Sequence, residues 1–180
     1  MDSKPVLHLR SSTDLAGPDS LLLDLLPALG RIGWRCDVGV LCHRRHPDTG
    51  LLRAMTRRGV RAVRLPTHGP LDPRLLVALI RRCRGHGVIH VHDPKGHVYG
   101  VAAAAATGLP LVVTHHGRLS RDPRERLYEQ IDARLLRHAD RVVCVSRRSE
   151  SFLTRSCGVD TGRLHWIPNG VDPERLVPGE

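Results

Sequence analysis

The sequence predicts an α/β fold, a doubly wound, mainly parallel sheet of about seven strands, on three observations. Short runs rich in Val, Leu and Ile alternate with longer amphipathic segments along the chain. Several of the longer segments open on Asp, Ser or Pro, residues that start helices. In residues 87–117, GVIHVHDPKGHVYGVAAAAATGLPLVVTHHG, two β-branched runs at 88–91 and 111–113 flank an Ala-rich segment of helical length. That is the format of a parallel strand-helix-strand crossover.

Residues 5–10 (PVLHLR) form the first expected strand. Gly17-Pro18-Asp19-Ser20 then opens a Leu-rich helix that Pro27 should bend and Gly30 to Gly33 should end. Residues 36–42 are strand two, 51–58 a short helix capped by Gly59, and 61–65 strand three. Asp72 caps a helix in which Leu75, Leu76, Leu79, Ile80 and Cys83 make one apolar stripe. After the central unit, Asp122-Pro123-Arg124-Glu125 is a capping box for a helix reaching about His138. Residues 142–145 form the next strand, Ser146 caps the following helix, and 164–167 form the last strand. Residues 168–173 (PNGVDP) are a turn with no element behind it, so the expected domain is 1–168 and residues 169–180 a hinge.

Right-handed crossovers put every strand-to-helix loop at one edge of such a sheet, the edge where ligands bind. Gly17, Asp93, His116 and Ser146 are therefore expected together despite their separation in sequence. The Gly17-Pro18 start is an anion site in outline, because unpaired backbone N–H groups point outward there and glycine admits a close approach.

Composition bounds the function. Net charge is +10, 41% of residues are hydrophobic and only 3% aromatic, so the core must be aliphatic. The charge is carried by arginine, with Lys4 and Lys95 as the lysines, scattered over predicted helix faces. Without interleaved aromatics to stack bases, it reads as a solvated surface and no nucleic acid partner is expected. It is compatible with peripheral contact at the inner face of an anionic membrane. Cys36, Cys42, Cys83, Cys144 and Cys157 show no ligand spacing and read as reduced thiols, and with no leader or apolar span the expected location is cytoplasmic.

His90 and His92 fall on one face of a strand, a spacing that metal hydrolases use, with Asp93, His97, His115 and His116 as candidate further ligands. The competing reading makes the two strand histidines hydrogen-bonded core residues and Asp93 the cap of a helix starting at Pro94. His116 can reach into the cleft, with Gly117 making the tight turn. GxGxxG, P-loop and GxSxG motifs are absent.

Three motifs carry a family resemblance. The segment VIHVHDPKG…VAAAAATGLPLVVTHHG resembles the centre of glycosyltransferase family 4, where an HxHD-type segment precedes a strand ending in T-x-HG. ADRVVCVSRRSESFL resembles its "AD-hydrophobic-S" helix start, and RLHWIPNGVDPERLVPGE its interdomain segment. Ala16-Gly17-Pro18-Asp19 matches its GG-x-E turn in part, with Ala16 and Asp19 replacing the first glycine and the glutamate.

The resemblance implies a Rossmann-like, acceptor-side N-terminal domain of a retaining GT-B enzyme. Such an enzyme moves a sugar from a nucleotide-diphosphate donor to a hydroxyl of a glycan, lipid or small-molecule acceptor. It implies Gly17 and His116 as donor-binding residues, His116 as the catalytic one, and no metal or other cofactor. Asp93, Lys95, Tyr99 and Arg118 are the expected acceptor-binding residues. The C-terminal domain, with its basic pair and its two glutamates eight apart, has no counterpart here, so the chain alone should bind donor poorly and not turn over. Three alternatives are a metal-dependent hydrolase built on His90, His92 and His116, a non-catalytic glycan- or lipid-binding module, and a GT-B nucleotide-sugar epimerase.

Overall fold

The structure, a computed structural model, describes residues 4–11, 15, 17–45, 50–69, 71–117 and 132–170. The elements follow in the order β1 (Val6–Ser11), α1 (Gly17–Arg31), β2 (Cys36–His43), α2 (Gly50–Arg57), β3 (Arg61–Thr67), α3 (Pro73–Cys83), β4 (Val88–Val91), α4 (Pro94–Thr107), β5 (Leu111–His115), β6 (Arg141–Cys144), α5 (Arg147–Arg155) and β7 (Leu164–Trp166). The expected capping box at residues 122–125, like Arg118, lies outside the described residues.

All seven strands join one sheet in the order β3-β2-β1-β4-β5-β6-β7, and every pairing is parallel. The chain winds outward from β1 to β3, returns to pair β4 with β1, and winds outward the other way. The order reverses between β1 and β4, which opens the crevice where this architecture takes ligands.

Two apolar layers cover the sheet. Leu22, Leu23 and Leu26 of α1 and Leu51 and Met55 of α2 pack on Val38 and Val40 of β2. On the other side Leu75 and Leu79 of α3, Ala103 of α4 and Leu153 of α5 pack with Leu9, Val91, Leu111 and Val113. The predicted stripe on α3 is the buried one, with Leu75, Leu79 and Cys83 at its centre.

Local chemistry sets the helix starts. Asp72, Asp93 and Ser146 each sit in extended backbone and accept a backbone N–H from the first turn, at Arg74, Gly96 and Ser149. Gly108 ends α4 with φ 71°. Close packing of α4 on β4 depends on glycine, since a Cβ at Gly96 or Gly100 would lie 2.6 Å from a Val91 methyl. Pro27 lies inside α1, which runs on through it and ends at Arg31, within the expected Gly30 to Gly33 stop.

Candidate functional site

Strand alternation divides the central sheet chemically. Leu7, Leu9, Ile89, Val91, Leu111 and Val113 enter the layer under α3 and α4. The residues between them, His8 and Arg10 on β1, His90 on β4 and Thr114 on β5, turn to the opposite face. His92 and His116 continue that parity past the ends of β4 and β5. His8 pairs in register with His90, so the parallel ladder stacks imidazoles across the crevice.

The rings lie close. Centroids are 4.9 Å apart for His8 and His90, 4.3 Å for His90 and His92, and 5.8 Å for His92 and His116. His8 Nδ1 and His92 Nε2 share a hydrogen bond of 3.0 Å, and His90 Nε2 one of 2.8 Å with Thr114 Oγ1. His8 Nε2, His92 Nδ1 and His116 Nε2 are buried without a hydrogen-bond partner among the described residues. Burial favours the neutral ring, and neighbouring rings add to it: His8 and His92 are pushed well below the ordinary histidine range. Burial and then His116 lower His90 to about 4, while burial and then the Arg10 guanidinium lower His116 to about 4. The cluster is uncharged at neutral pH.

His115 and His116 separate as neighbours at a strand end do. The His115 ring faces Phe152 of α5, and its Nδ1 accepts the Gly117 N–H at 3.3 Å. His116 turns to the crevice. Gly117 has φ 96°, the left-handed backbone that a tight turn requires and glycine supplies without strain. A Cβ there would come 3.6 Å from Ser149 Oγ, so this turn runs beside the first turn of α5.

At the other side of the crevice Arg10 Nε donates to Asp19 Oδ1 at 2.7 Å, and its Nη1 donates to the His92 carbonyl at 3.3 Å. Asp19 is fully buried in the first turn of α1. The Arg10 charge neutralises an acid that would otherwise repel an anion from this helix start. Gly17 is the first residue of α1 and has open space where a Cβ would stand. The edge expected from topology therefore exists, with Gly17, Asp93, His116 and Ser146 at the ends of their strands.

Two expected acceptor-binding residues have other work. Tyr99 is 3% exposed, and its hydroxyl accepts the Asp72 N–H at 2.7 Å, so it ties α4 to the start of α3. Its apolar position one turn into α4 draws it inward, away from the edge. Asp93 is 7% exposed and its carboxylate accepts three hydrogen bonds within the fold: Oδ1 accepts from Gly96 N at 2.9 Å and from Ser11 Oγ, and Oδ2 from Ser11 N at 2.6 Å. Lys95, half-buried in the first turn of α4, stays at the edge.

His8 was missed by sequence reasoning as a site residue, as was the ion pair between Arg10 and Asp19. The signal was present in the shared parity of PVLHLR and VIHVH, but only the register β1 to β4 makes it meaningful. Among the described residues, the compact metal-capable group is His8, His90 and His92, whose ligand nitrogens lie within 4.8 Å of one another, and not the expected set with His116. No carboxylate belongs to this trio, and the Arg10 guanidinium acts on His92 directly. His97 is elsewhere, bonded through Nδ1 to Asp132.

The model of one family, Glycosyltransferase Family 4, matches residues 17–175. The UDP-Gal:alpha-D-GlcNAc-diphosphoundecaprenol alpha-1,3-galactosyltransferase of Escherichia coli is 25% identical over 154 residues, covering 79% of this chain and 39% of that enzyme. Among solved structures, HepE of Anabaena in complex with UDP superposes with a TM-score of 0.78 at 20% identity, over 94% of this chain and 45% of HepE. Sucrose-phosphate synthase of Thermosynechococcus elongatus gives 0.75 at 17% identity, over 98% and 50%. At these identities the structures speak for the fold alone. The chain spans well under half the length of the galactosyltransferase and about half of the synthase.

Proposed function

The chain belongs to glycosyltransferase family 4, and from that premise we propose that it is the N-terminal, acceptor-side domain of a retaining enzyme. That enzyme transfers a sugar from a nucleotide diphosphate to an acceptor hydroxyl. A partner domain, joined through the segment that begins near residue 169, supplies the nucleotide site and closes the cleft. The observation that carries the reading is the convergence of the α1 N-terminus, with its acid neutralised by Arg10, and of His116 at one crevice.

In this reading the donor diphosphate lies against the first turn of α1 at Gly17, where N–H groups and the helix dipole favour negative charge. His116 meets the transferred sugar. A neutral imidazole whose Nε2 has no partner among the described residues can hydrogen-bond a sugar hydroxyl without placing a charge beside the anomeric carbon. His8, His90 and His92 position it by packing. Lys95 at the edge, together with Arg118 outside the described residues, remains proposed for the acceptor.

No metal or organic cofactor has a part in this proposal. The family match and the galactosyltransferase relative favour glycosyl transfer over the hydrolase, binding-module and epimerase alternatives. That relative is named for a diphosphate-linked lipid acceptor, which supports a glycolipid acceptor; a peripheral place at the cytoplasmic face of a membrane is part of the proposal. Among the described residues no helix is long and apolar enough to cross a membrane.

The test is His116→Ala in the two-domain enzyme. A lost imidazole-sugar contact should lower kcat about a hundredfold while the melting temperature stays near that of the parent. Unchanged kcat would overturn the role of His116. Failure of the parent to transfer sugar from any nucleotide diphosphate would overturn the function.

A further inference from the structure

A second anion-favouring place lies on the same edge, apart from α1. At the ends of β2 and β3 a cleft of about 550 Å³ is lined by His43, Arg44, Arg45 and His68. One backbone and one side-chain hydrogen bond hold its wall: Arg44 N–H donates to the Thr67 carbonyl at 3.0 Å, and Arg64 Nη2 donates to the Arg44 carbonyl at 3.2 Å. Both Arg44 and Arg45 are exposed, and among the described residues no ion pair takes up either guanidinium. Among the described residues, Asp72 at the start of α3 is an acid on this side, and its two carboxylate oxygens accept the Arg74 and His68 N–H groups.

Two arginines that line one open cleft suit a phosphoryl group, which a guanidinium can meet with a pair of parallel N–H bonds. The donor diphosphate does not need this cleft if it lies at Gly17. β2 is three strand positions from β5, about 14 Å at ordinary strand spacing. A molecule that presents its hydroxyl at His116 and an anion at Arg44 and Arg45 must therefore be extended. Apolar residues stand on the flanking loops: Leu15 between β1 and α1 is 53% exposed, and Leu71 between β3 and α3 is 77% exposed.

We propose that this cleft binds a phosphoryl group carried by the acceptor, so that the acceptor is a phosphorylated glycan, free or lipid-linked. The proposal rests on the glycosyltransferase reading for the word acceptor, and on the cleft for the phosphoryl group.

The first experiment titrates the full chain with inorganic pyrophosphate at low and high salt. Binding is expected, weakened by salt, and reduced at least tenfold in Arg44→Ala/Arg45→Ala. Arg57→Ala/Arg84→Ala, which removes the same charge from the helix ends at the opposite edge, should bind as the parent does. Equal affinity in both double variants, or no binding at millimolar pyrophosphate, overturns the proposal. The second experiment gives the two-domain enzyme a soluble sugar phosphate and a polyprenyl-diphosphate-linked sugar in phosphatidylcholine vesicles, each beside its dephosphorylated counterpart. The acceptor whose KM rises in Arg44→Ala/Arg45→Ala identifies the source of the phosphoryl group. Equal use of phosphorylated and dephosphorylated acceptors overturns the proposal and leaves the glycosyltransferase reading standing. Pyrophosphate binding at Arg44 and Arg45 without transfer to any acceptor does the reverse.

Discussion

Replacing Asp93 by alanine should cost far more than the loss of a helix cap. As a cap alone the carboxylate is worth about 1 kcal/mol. The structure adds a second task, because the same group accepts both the backbone N–H and the hydroxyl of Ser11 at the end of β1. An N–H stranded in a crevice costs about 1–3 kcal/mol. Arg10, with Nη1 3.9 Å from Oδ2, also loses a favourable charge. The expected total for Asp93→Ala is about 3 kcal/mol, read as a lower urea midpoint at unchanged m value. Asp93→Asn keeps an oxygen for Gly96 N but turns an amide donor toward Ser11 N, so it should lie about halfway. Amide exchange at Ser11 should accelerate in both variants, and at Gly96 mainly in the alanine. A loss below about 1.5 kcal/mol for Asp93→Ala, or an asparagine as damaging as the alanine, would refute the two-strand role of this carboxylate.

The other expectations test the same packing. Burial holds His8, His90, His92 and His116 neutral in the fold, so below the ordinary pKa of 6.5 the unfolded chain takes up protons that the folded chain refuses. Stability should be flat above that pH and fall between about 6.5 and about 4, with His90 alone accounting for roughly 3 kcal/mol at the acid end. A urea midpoint that does not change from pH 7.5 to 4.5 would contradict the buried cluster. Tyr99→Phe strands the Asp72 N–H and should cost about 1–2 kcal/mol without raising the KM for acceptor; a raised KM at unchanged stability would restore its place in the acceptor site. Gly100→Ala drives a methyl against Val91 and should destabilise by about 1–2 kcal/mol net of helix propensity. Gly30→Ala, with nothing within 4 Å of the new Cβ, should be neutral or stabilising by about 0.5 kcal/mol. Comparable melting points for the two glycine variants would show that α4 does not depend on its close approach to β4.

Local signals read from the sequence were those that depend on neighbours in the chain. Asp72, Asp93 and Ser146 cap helices because a short acceptor side chain reaches N–H groups two or three residues ahead, whatever the fold around it. The apolar stripe on α3, the left-handed Gly117 and the alternation that makes a parallel sheet are of the same kind. So is the gathering of Gly17, Asp93, His116 and Ser146 at one edge, because crossover handedness is a property of the chain and not of its partners.

What the tertiary structure decided depends on contacts between distant segments. Register between β1 and β4 set His8 against His90 and turned a suspected metal pair with His116 into a buried, neutral histidine stack. Packing of α4 over α3 drew Tyr99 inward to Asp72, and the approach of β1 to β4 gave Asp93 its bonds to Ser11. The cleft at Arg44 and Arg45 likewise needs β2 and β3 side by side. A single sequence shows which face a side chain shares with its neighbours two residues away. It does not show which strand lies beside it, and that neighbour decides whether a polar group is a cap, a core contact or an open site.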